Sequence, residues 1–186
     1  MVSVEELRNP LRGKSLDMLV TAQQDLKSGR RDRGMQELRD ALSDPTAMPY
    51  AISMLATEHL RVGQIDAAIS ELEQAVELLP GRPEIHSNLA YAFYLKGKTE
   101  PGLKEVRKAL QLDGGGPKTR MVLGMLLLLQ GSSDAEAVKN LQAASEEIPS
   151  AHLVLARHYE RAGKAPEAES ERRAYTITSM GLLATK

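Results

Sequence analysis

The sequence predicts an all-α fold, an α-solenoid of antiparallel helix pairs. Three observations support this prediction: glycines recur at every thirty-fourth position, prolines recur with the same period, and only six of the 186 residues are aromatic. Because aromatic residues are so few, Leu, Ala and Met must fill the core, which favours helices over a β-sandwich. The glycines that mark the period are Gly29, Gly63, Gly97 and Gly131, and Gly163 follows after a slightly shorter interval.

The glycines and prolines mark opposite ends of each predicted helix pair. Each periodic glycine follows an apolar helical stretch, where glycine can adopt the left-handed conformation that ends a helix. Pro49, Pro83 and Pro117 have the same spacing as the glycines and open first helices, where a missing N–H costs nothing. Pro80 and Pro149 close second helices. Between these markers the apolar residues follow a helical period.

The repeats align when their first positions are set at Ser15, Pro49, Pro83 and Pro117. Positions four, seven, eight and eleven, on the first helix, are Met18, Thr21, Ala22, Asp25; Ile52, Leu55, Ala56, His59; His86, Leu89, Ala90, Phe93; and Arg120, Leu123, Gly124, Leu127. Positions twenty, twenty-four and twenty-seven, on the second helix, are Gly34, Leu38, Ala41; Ala68, Leu72, Ala75; Gly102, Val106, Ala109; and, after a one-residue insertion behind Gly131, Ala137, Leu141, Ala144. A fifth repeat has Leu155, Ala156, Tyr159, Gly163 and Ala168.

This arrangement resembles the tetratricopeptide repeat family over residues 15–175. The family has Leu-Gly or Leu-Ala at positions seven and eight, Ala at twenty and twenty-seven, and Pro at thirty-two. The repeat that matches this pattern best contains Leu55, Ala56, Gly63, Ala68, Leu72, Ala75 and Pro80. The first and fifth repeats depart from the pattern, as terminal repeats do, because one of their faces must meet water. The resemblance implies a right-handed superhelix and a role in protein–protein interaction.

The same register predicts the domain organisation. We expect repeats near 15–48, 49–82, 83–116, 117–149 and 149–180, between a lead of residues 1–14 and a tail of residues 181–186. Pro149 is shared by the last two repeats, so regularity should be poorest there. The last helix is expected near residues 166–180. Small residues at positions eight and twenty should face each other and let the paired helices approach closely, so they are structural.

Counting about 100° per residue along the first helix places positions four, seven, eight and eleven on one arc, the buried seam. Positions two, five, nine, twelve and thirteen fall on the opposite arc. In a stack of helix pairs this arc should form the inner, concave wall. Its residues are Leu16, Leu19, Gln23, Leu26, Lys27; Tyr50, Ser53, Thr57, Leu60, Arg61; Glu84, Ser87, Tyr91, Tyr94, Leu95; and Lys118, Met121, Met125, Leu128, Leu129. The fourth first helix is apolar all round, and such a helix must be covered on all sides.

We therefore predict a groove that binds an apolar or amphipathic peptide segment, because exposed apolar patches with Tyr and Met anchors mark interaction surfaces. Two alternatives stay open: a second copy or the chain's own tail fills the groove, making the protein a homo-oligomer or self-covered, or the apolar helix is ordinary core. The chain could also be the recognition arm of a larger protein. The predicted groove residues are Tyr50, Ser53, Thr57, Ser87, Tyr91, Tyr94, Lys118, Met121, Met125 and Leu128.

Some members of the family hold a C-terminal carboxylate in a clamp of Lys, Asn and Arg residues. Here only Asn88 and Lys118 match that clamp, whereas Ser53, Thr57 and Val122 occupy its other positions. Too little positive charge remains to hold two carboxylates, so chaperone-tail binding is not predicted.

No motif predicts catalysis, a metal or a cofactor. His59 and His86 fall at seam positions, and His152 and His158 do not share a helix face, so the histidines are expected to be structural. The segment at residues 114–119 contains Gly and Lys but lacks the preceding strand and the Gly-Lys-Ser/Thr order of a phosphate loop. We predict a protein that is not an enzyme.

Charge and hydropathy exclude other classes of partner. The chain has 24 Lys and Arg against 25 Asp and Glu, a formal net charge of −1, so nothing attracts nucleic acid or an anionic membrane over long range. There is no cysteine. The longest apolar run, residues 121–129, is too short to cross a bilayer. We expect a cytoplasmic protein or a mature soluble segment of a longer or exported one, and the sequence leaves both open.

Overall fold

A computed structural model describes residues 13–113, 115–131 and 134–184 of the chain. Ten helices and no strand lie within these ranges, as the repeat pattern predicts. The helices are α1 (Lys14–Lys27), α2 (Arg31–Ala41), α3 (Met48–Arg61), α4 (Ile65–Leu78), α5 (Pro83–Leu95), α6 (Thr99–Asp113), α7 (Pro117–Gln130), α8 (Asp134–Ser145), α9 (Ser150–Arg161) and α10 (Ala165–Ala184). They divide into two compact units, an N-terminal unit (Met1–Lys96) and a C-terminal unit (Gly97–Lys186).

The N-terminal unit contains α1 to α5. Here α1 packs on α2 and α3 on α4, while α2 contacts α3 and α4 contacts α5. Leu19, Leu38 and Leu72 are completely buried between these helices. Leu38 and Leu72 occupy position twenty-four of their repeats, as expected for core residues, whereas the burial of Leu19 corrects its assignment to the wall.

The C-terminal unit contains α6 to α10. In this unit α7 packs against α6, α8 and α9, and α9 packs against α8 and α10. Its core is centred on Leu126, Leu141 and Leu155, none of which has any exposed surface. Among the described helices, none is both long and apolar enough to cross a membrane.

The periodic glycines occupy the turn that follows each first helix, as predicted. Gly29, Gly63, Gly97, Gly131 and Gly163 have φ angles of 79°, 78°, 72°, 71° and 72°. These angles lie in the left-handed region, which any side chain with a Cβ atom adopts only at a cost. The regular spacing of the glycines therefore reflects a backbone requirement at each turn.

The predicted contact between positions eight and twenty is confirmed in both units. A Cβ atom on Gly34 would lie 2.9 Å from the carbonyl oxygen of Ala22, and one on Gly124 would lie 3.0 Å from the carbonyl oxygen of Ala137. The paired helices thus approach so closely that one partner lacks a side chain. In the N-terminal unit the glycine, Gly34, lies on the second helix of its pair. In the C-terminal unit the glycine, Gly124, lies on the first helix of its pair.

Two details differ from the expected boundaries. The last helix extends over Ala165–Ala184 rather than residues 166–180. Pro149 directly precedes α9 and follows a turn after Ser145, so it opens α9 and lies outside α8. Most of the predicted lead, residues 1–12, and the insertion predicted behind Gly131 lie outside the described residues. The repeat boundaries stay predictions.

Candidate partner-binding cleft

A cleft of about 430 Å³ opens in the N-terminal unit between the C-terminal ends of α1 and α3. These two helices are the first helices of successive repeats, so the cleft lies on the face that the helical arc predicted as the wall. Its lining residues are Gln23, Leu26, Lys27, Gly29, Arg31, Met54, Thr57, Glu58 and Arg61.

The floor of the cleft is apolar and well supported. Met54 is 6% exposed and belongs to the hydrophobic core of the N-terminal unit, and the partly buried Leu26 packs against that core. Leu26 also lies over Gly34, where an added Cβ atom would come within 2.8 Å of its Cγ atom. The missing side chain at Gly34 therefore lets Leu26 fold down beside α2, which shapes the floor.

The rim of the cleft is charged. The Glu58 carboxylate accepts a hydrogen bond from Arg61 Nε at 3.1 Å and pairs with Arg31 Nε at 3.4 Å. Arg31 Nη2 also donates to the backbone carbonyl of Glu58 at 3.2 Å. Lys27 is exposed and makes no ion pair within the described part of the chain. Three cations and one carboxylate thus surround the opening.

Of the groove residues predicted in the N-terminal unit, Thr57 lines this cleft. It is half-buried, and its hydroxyl donates to the carbonyl of Ser53 at 3.0 Å. Tyr91 and Tyr94 occupy positions nine and twelve of the next first helix and are half-buried. Their rings stack with centroids 6.2 Å apart, and burial, followed by the proximity of Tyr94, raises the pKa of Tyr91.

Tyr50, Ser53 and Ser87 are buried, at 4%, 1% and 1% exposure, which corrects their assignment to an open wall. Arg82 accounts for the burial of Tyr50: its guanidinium lies 5.5 Å from the ring centroid and donates to the hydroxyl at 3.1 Å. Tyr50 and Ser53 face residues at the start of α5 across a narrow gap. The helical arc treated each helix pair as isolated, whereas the neighbouring first helix covers one flank of the arc.

The remaining predicted residues belong to the C-terminal unit. Lys118 is exposed, Met121 and Leu128 are half-buried, and Met125 is buried at 8% exposure, so Met125 does not offer an open surface either. The apolar helix α7 is explained largely by its position between α6, α8 and α9. Its side chains buried by that packing include Val122, Leu123, Leu126 and Leu127.

Arg31, Met54 and Glu58 line the cleft but were missed by the sequence prediction. Met54 and Glu58 lie at positions six and ten, between the seam and the wall, and Arg31 lies on the second helix. The sequence contained one indication of a charged cleft, because successive repeats have a basic residue at position thirteen, Lys27 and Arg61.

Three of the four histidines have hydrogen-bond partners inside the fold. His59 Nδ1 lies 2.7 Å from Glu71 Oε2, and His152 Nδ1 lies 2.6 Å from Glu171 Oε2. These carboxylates come from the paired second helix, so sequence spacing did not reveal them. His86 Nε2 lies 3.0 Å from the carbonyl oxygen of Pro80. In the ranges that the structure describes, no three His, Asp or Glu side chains are grouped to hold a metal.

The comparisons with known proteins agree with the helix-pair architecture. Residues 60–97 match the family model for the TPR (tetratricopeptide) repeat. A thermophilic TPR protein from Thermus thermophilus superposes with a TM-score of 0.72 at 22% identity, covering 84% of this chain and 87% of that one. PilW, a widely conserved type IV pilus biogenesis factor, superposes with a TM-score of 0.78 at 19% identity, covering 90% and 78%. MamA gives 0.64 at 16% identity, covering 88% and 96%.

No curated protein matches the sequence. At these identities the solved structures establish the fold, and the family model establishes the repeat itself. Residues 60–97 therefore contain a tetratricopeptide repeat that is matched by sequence, and the described helix pairs have the fold of the solved repeat proteins.

Proposed function

We propose that the protein is an interaction module, an adaptor or assembly scaffold, that binds a peptide segment of a partner protein and has neither catalytic activity nor a cofactor. The single observation that carries this proposal is the cleft between α1 and α3. Its volume of about 430 Å³ falls within the usual size of ligand pockets, roughly 300–1,000 Å³.

The composition of the cleft supports a protein partner. An apolar floor with a charged rim is the usual anatomy of a protein interface, in which buried anchors supply affinity and the rim excludes water. Thr57, Tyr91 and Tyr94 lie at face positions of α3 and α5, so the N-terminal unit presents further side chains along the same series of first helices. Tyr is among the residues that most often anchor interfaces.

A second candidate is homo-oligomerisation through the C-terminal unit. Leu129 on α7 and Leu153 on α9 are 47% and 39% exposed, and large apolar side chains in the open favour association. Light scattering coupled to size-exclusion chromatography tests this candidate. A concentration-independent monomer for the wild type, or an oligomer that persists in Leu129→Glu, would argue against it.

The peptide-binding proposal is tested by filling the cleft. We expect Thr57→Trp to occupy the opening and to abolish selection of short peptides from a displayed random library, because the larger ring takes the space above Leu26 and Met54. Gln74→Trp places the same side chain on an exposed position of α4, away from the cleft, and should select the same peptides as the wild type.

A photo-crosslinking amino acid at position 57 or 74 extends the test to the native cell. Adducts at position 57 that are absent at position 74 would support the cleft. Equal adducts at both positions, or equal peptide selection by the two Trp variants, would contradict it.

A further inference from the structure

We infer that the cleft between α1 and α3 selects acidic segments: peptides in which a bulky apolar side chain is flanked by Asp or Glu. This inference rests on the proposed function and specifies the chemistry of its ligand. The apolar side chain would enter above Leu26 and Met54, and a flanking carboxylate would pair with Lys27 and Arg61. This site differs from the family's carboxylate clamp, because the two residues that match the clamp, Asn88 and Lys118, do not line the cleft.

The first step of the argument is the local charge. Lys27, Arg31 and Arg61 contribute three positive charges to the rim, and Glu58 contributes one negative charge. The rim therefore carries an excess of two positive charges, although the whole chain has a net charge of −1. A concave site with an excess of one sign of charge attracts ligands of the opposite sign.

The second step is the unequal engagement of the two arginines. Arg31 is bound at two points, to the carboxylate and to the backbone carbonyl of Glu58, and its side chain is 30% exposed. Arg61 is 59% exposed, and in the described part of the chain its guanidinium bonds only through Nε. Because a guanidinium has five N–H donors, both Nη groups of Arg61 are available to an incoming carboxylate.

The third step is the role of Glu58. Its carboxylate is 13% exposed and bridges Arg31 and Arg61, so it holds the two guanidinium groups at the rim before a ligand arrives. Such pre-organisation lowers the entropic cost of binding. Glu58 also repels acidic groups, so the ligand's carboxylate should pair with the N–H groups of Arg61 that Glu58 does not use and with Lys27.

The fourth step is the floor, which distinguishes a peptide from a simple anion. Leu26 and Met54 provide apolar contact area that a phosphate or a free carboxylate would not use. Met adapts its shape to varied apolar partners. An acidic residue beside Leu, Ile, Met or Phe satisfies both parts of the site together.

The experiment selects short peptides from a displayed random library on the wild type and on charge-reversal variants. We expect the wild type to enrich Asp and Glu next to one bulky apolar residue. Arg61→Glu and Lys27→Glu should each weaken binding of the selected peptides about tenfold, because an attractive pair becomes a repulsive one. Binding should also weaken as salt is raised, since exposed charges are screened.

The matched control is Arg39→Glu, which reverses an exposed charge on α2 outside the cleft and should leave affinity unchanged. Circular dichroism checks that each variant folds, and Lys27→Glu keeps the test decisive if Arg61→Glu does not. Peptides that depend on Thr57 but show no acidic enrichment, or equal effects of Arg61→Glu and Arg39→Glu, would overturn the inference and leave the proposed function standing. Peptides whose binding is indifferent to Thr57→Trp would instead overturn the proposed function.

Discussion

The helices α3 and α7 are the first helices of their repeats, yet equivalent positions on their outer faces differ in exposure. Position ten is Glu58 in α3, where it lines a cleft, and Leu126 in α7, where no surface is exposed. Position nine is the half-buried Thr57 in α3 and the buried Met125 in α7. The helix pair itself is compatible with either outcome. A few residues on the outer face of the first helix decide whether that face lines a cleft or is buried in the core.

The physical cause is the size and polarity of those face residues. Between α1 and α3 a short Thr and a charged Glu leave space that neighbouring helices do not fill, because covering the Glu58 carboxylate and its two arginine partners would cost their hydration. Around α7, Leu and Met side chains fill the equivalent positions and gain free energy by leaving water. The same backbone pattern therefore yields a cleft in one unit and a packed helix in the other.

The largest expected effect tests whether α7 is core. Leu126→Ala should lower the free energy of unfolding by about 3 kcal/mol, because it removes buried methyl groups and leaves a cavity. The matched change in the other unit, Glu58→Gln, should cost less than about 1 kcal/mol, since it weakens ion pairs to partly exposed arginines. Urea denaturation of both variants measures the difference, and equal losses would break the comparison.

An intermediate effect concerns the close approach of paired helices. Gly124→Ala should destabilise the protein by about 1–2 kcal/mol, because the clash outweighs the better helix propensity of Ala. The new Cβ atom would lie 2.6 Å from Leu141 Cγ and 3.0 Å from the Ala137 carbonyl oxygen.

Gly81→Ala is the control for that change, since a Cβ atom added at this position, in the turn after α4, would have nothing within 4 Å of it. It should be neutral or slightly stabilising by up to about 1 kcal/mol. Thermal unfolding followed by circular dichroism compares the two. A Gly124→Ala protein as stable as Gly81→Ala would show that the helices of this pair can separate at little cost.

The smallest expected effect is a pH dependence of stability that arises at position nine. This position is Tyr91 in α5, which can lose a proton, and Met125 in α7, which cannot. Burial raises the pKa of Tyr91 above its ordinary value of 10.0, so the unfolded chain loses this proton at lower pH than the folded one. The contribution of Tyr91 to stability is therefore full below the ordinary pKa and lost as pH rises through the folded pKa.

Ultraviolet titration of the tyrosines, paired with unfolding measured below and above the ordinary tyrosine pKa, checks this prediction. Tyr91→Phe should show a shallower loss of stability at high pH than the wild type, because it removes one group whose pKa differs between states. An unchanged slope would mean that the Tyr91 hydroxyl is as well solvated as in the unfolded chain.

Sequence alone sufficed for the fold class and the seam. The turn glycines recur at a fixed interval because each turn needs a left-handed residue, and Ala22, Ala68 and Ala90 are buried because paired helices meet there. These are local requirements that every repeat must meet separately, so they leave a periodic trace. The wall residues Thr57, Tyr91 and Tyr94 were placed on a partly exposed face by the same counting.

The cleft and the burial of Tyr50, Ser53, Ser87 and Met125 were decided only by the tertiary structure. Each depends on how one helix meets a helix of another repeat, as when Arg82 closes over Tyr50 or Glu58 draws Arg31 to the rim. Such contacts join single side chains that are 27 or 32 residues apart and occur once, so no period reports them. Periodicity reveals what the repeats share, whereas a binding site is made by the residues in which they differ.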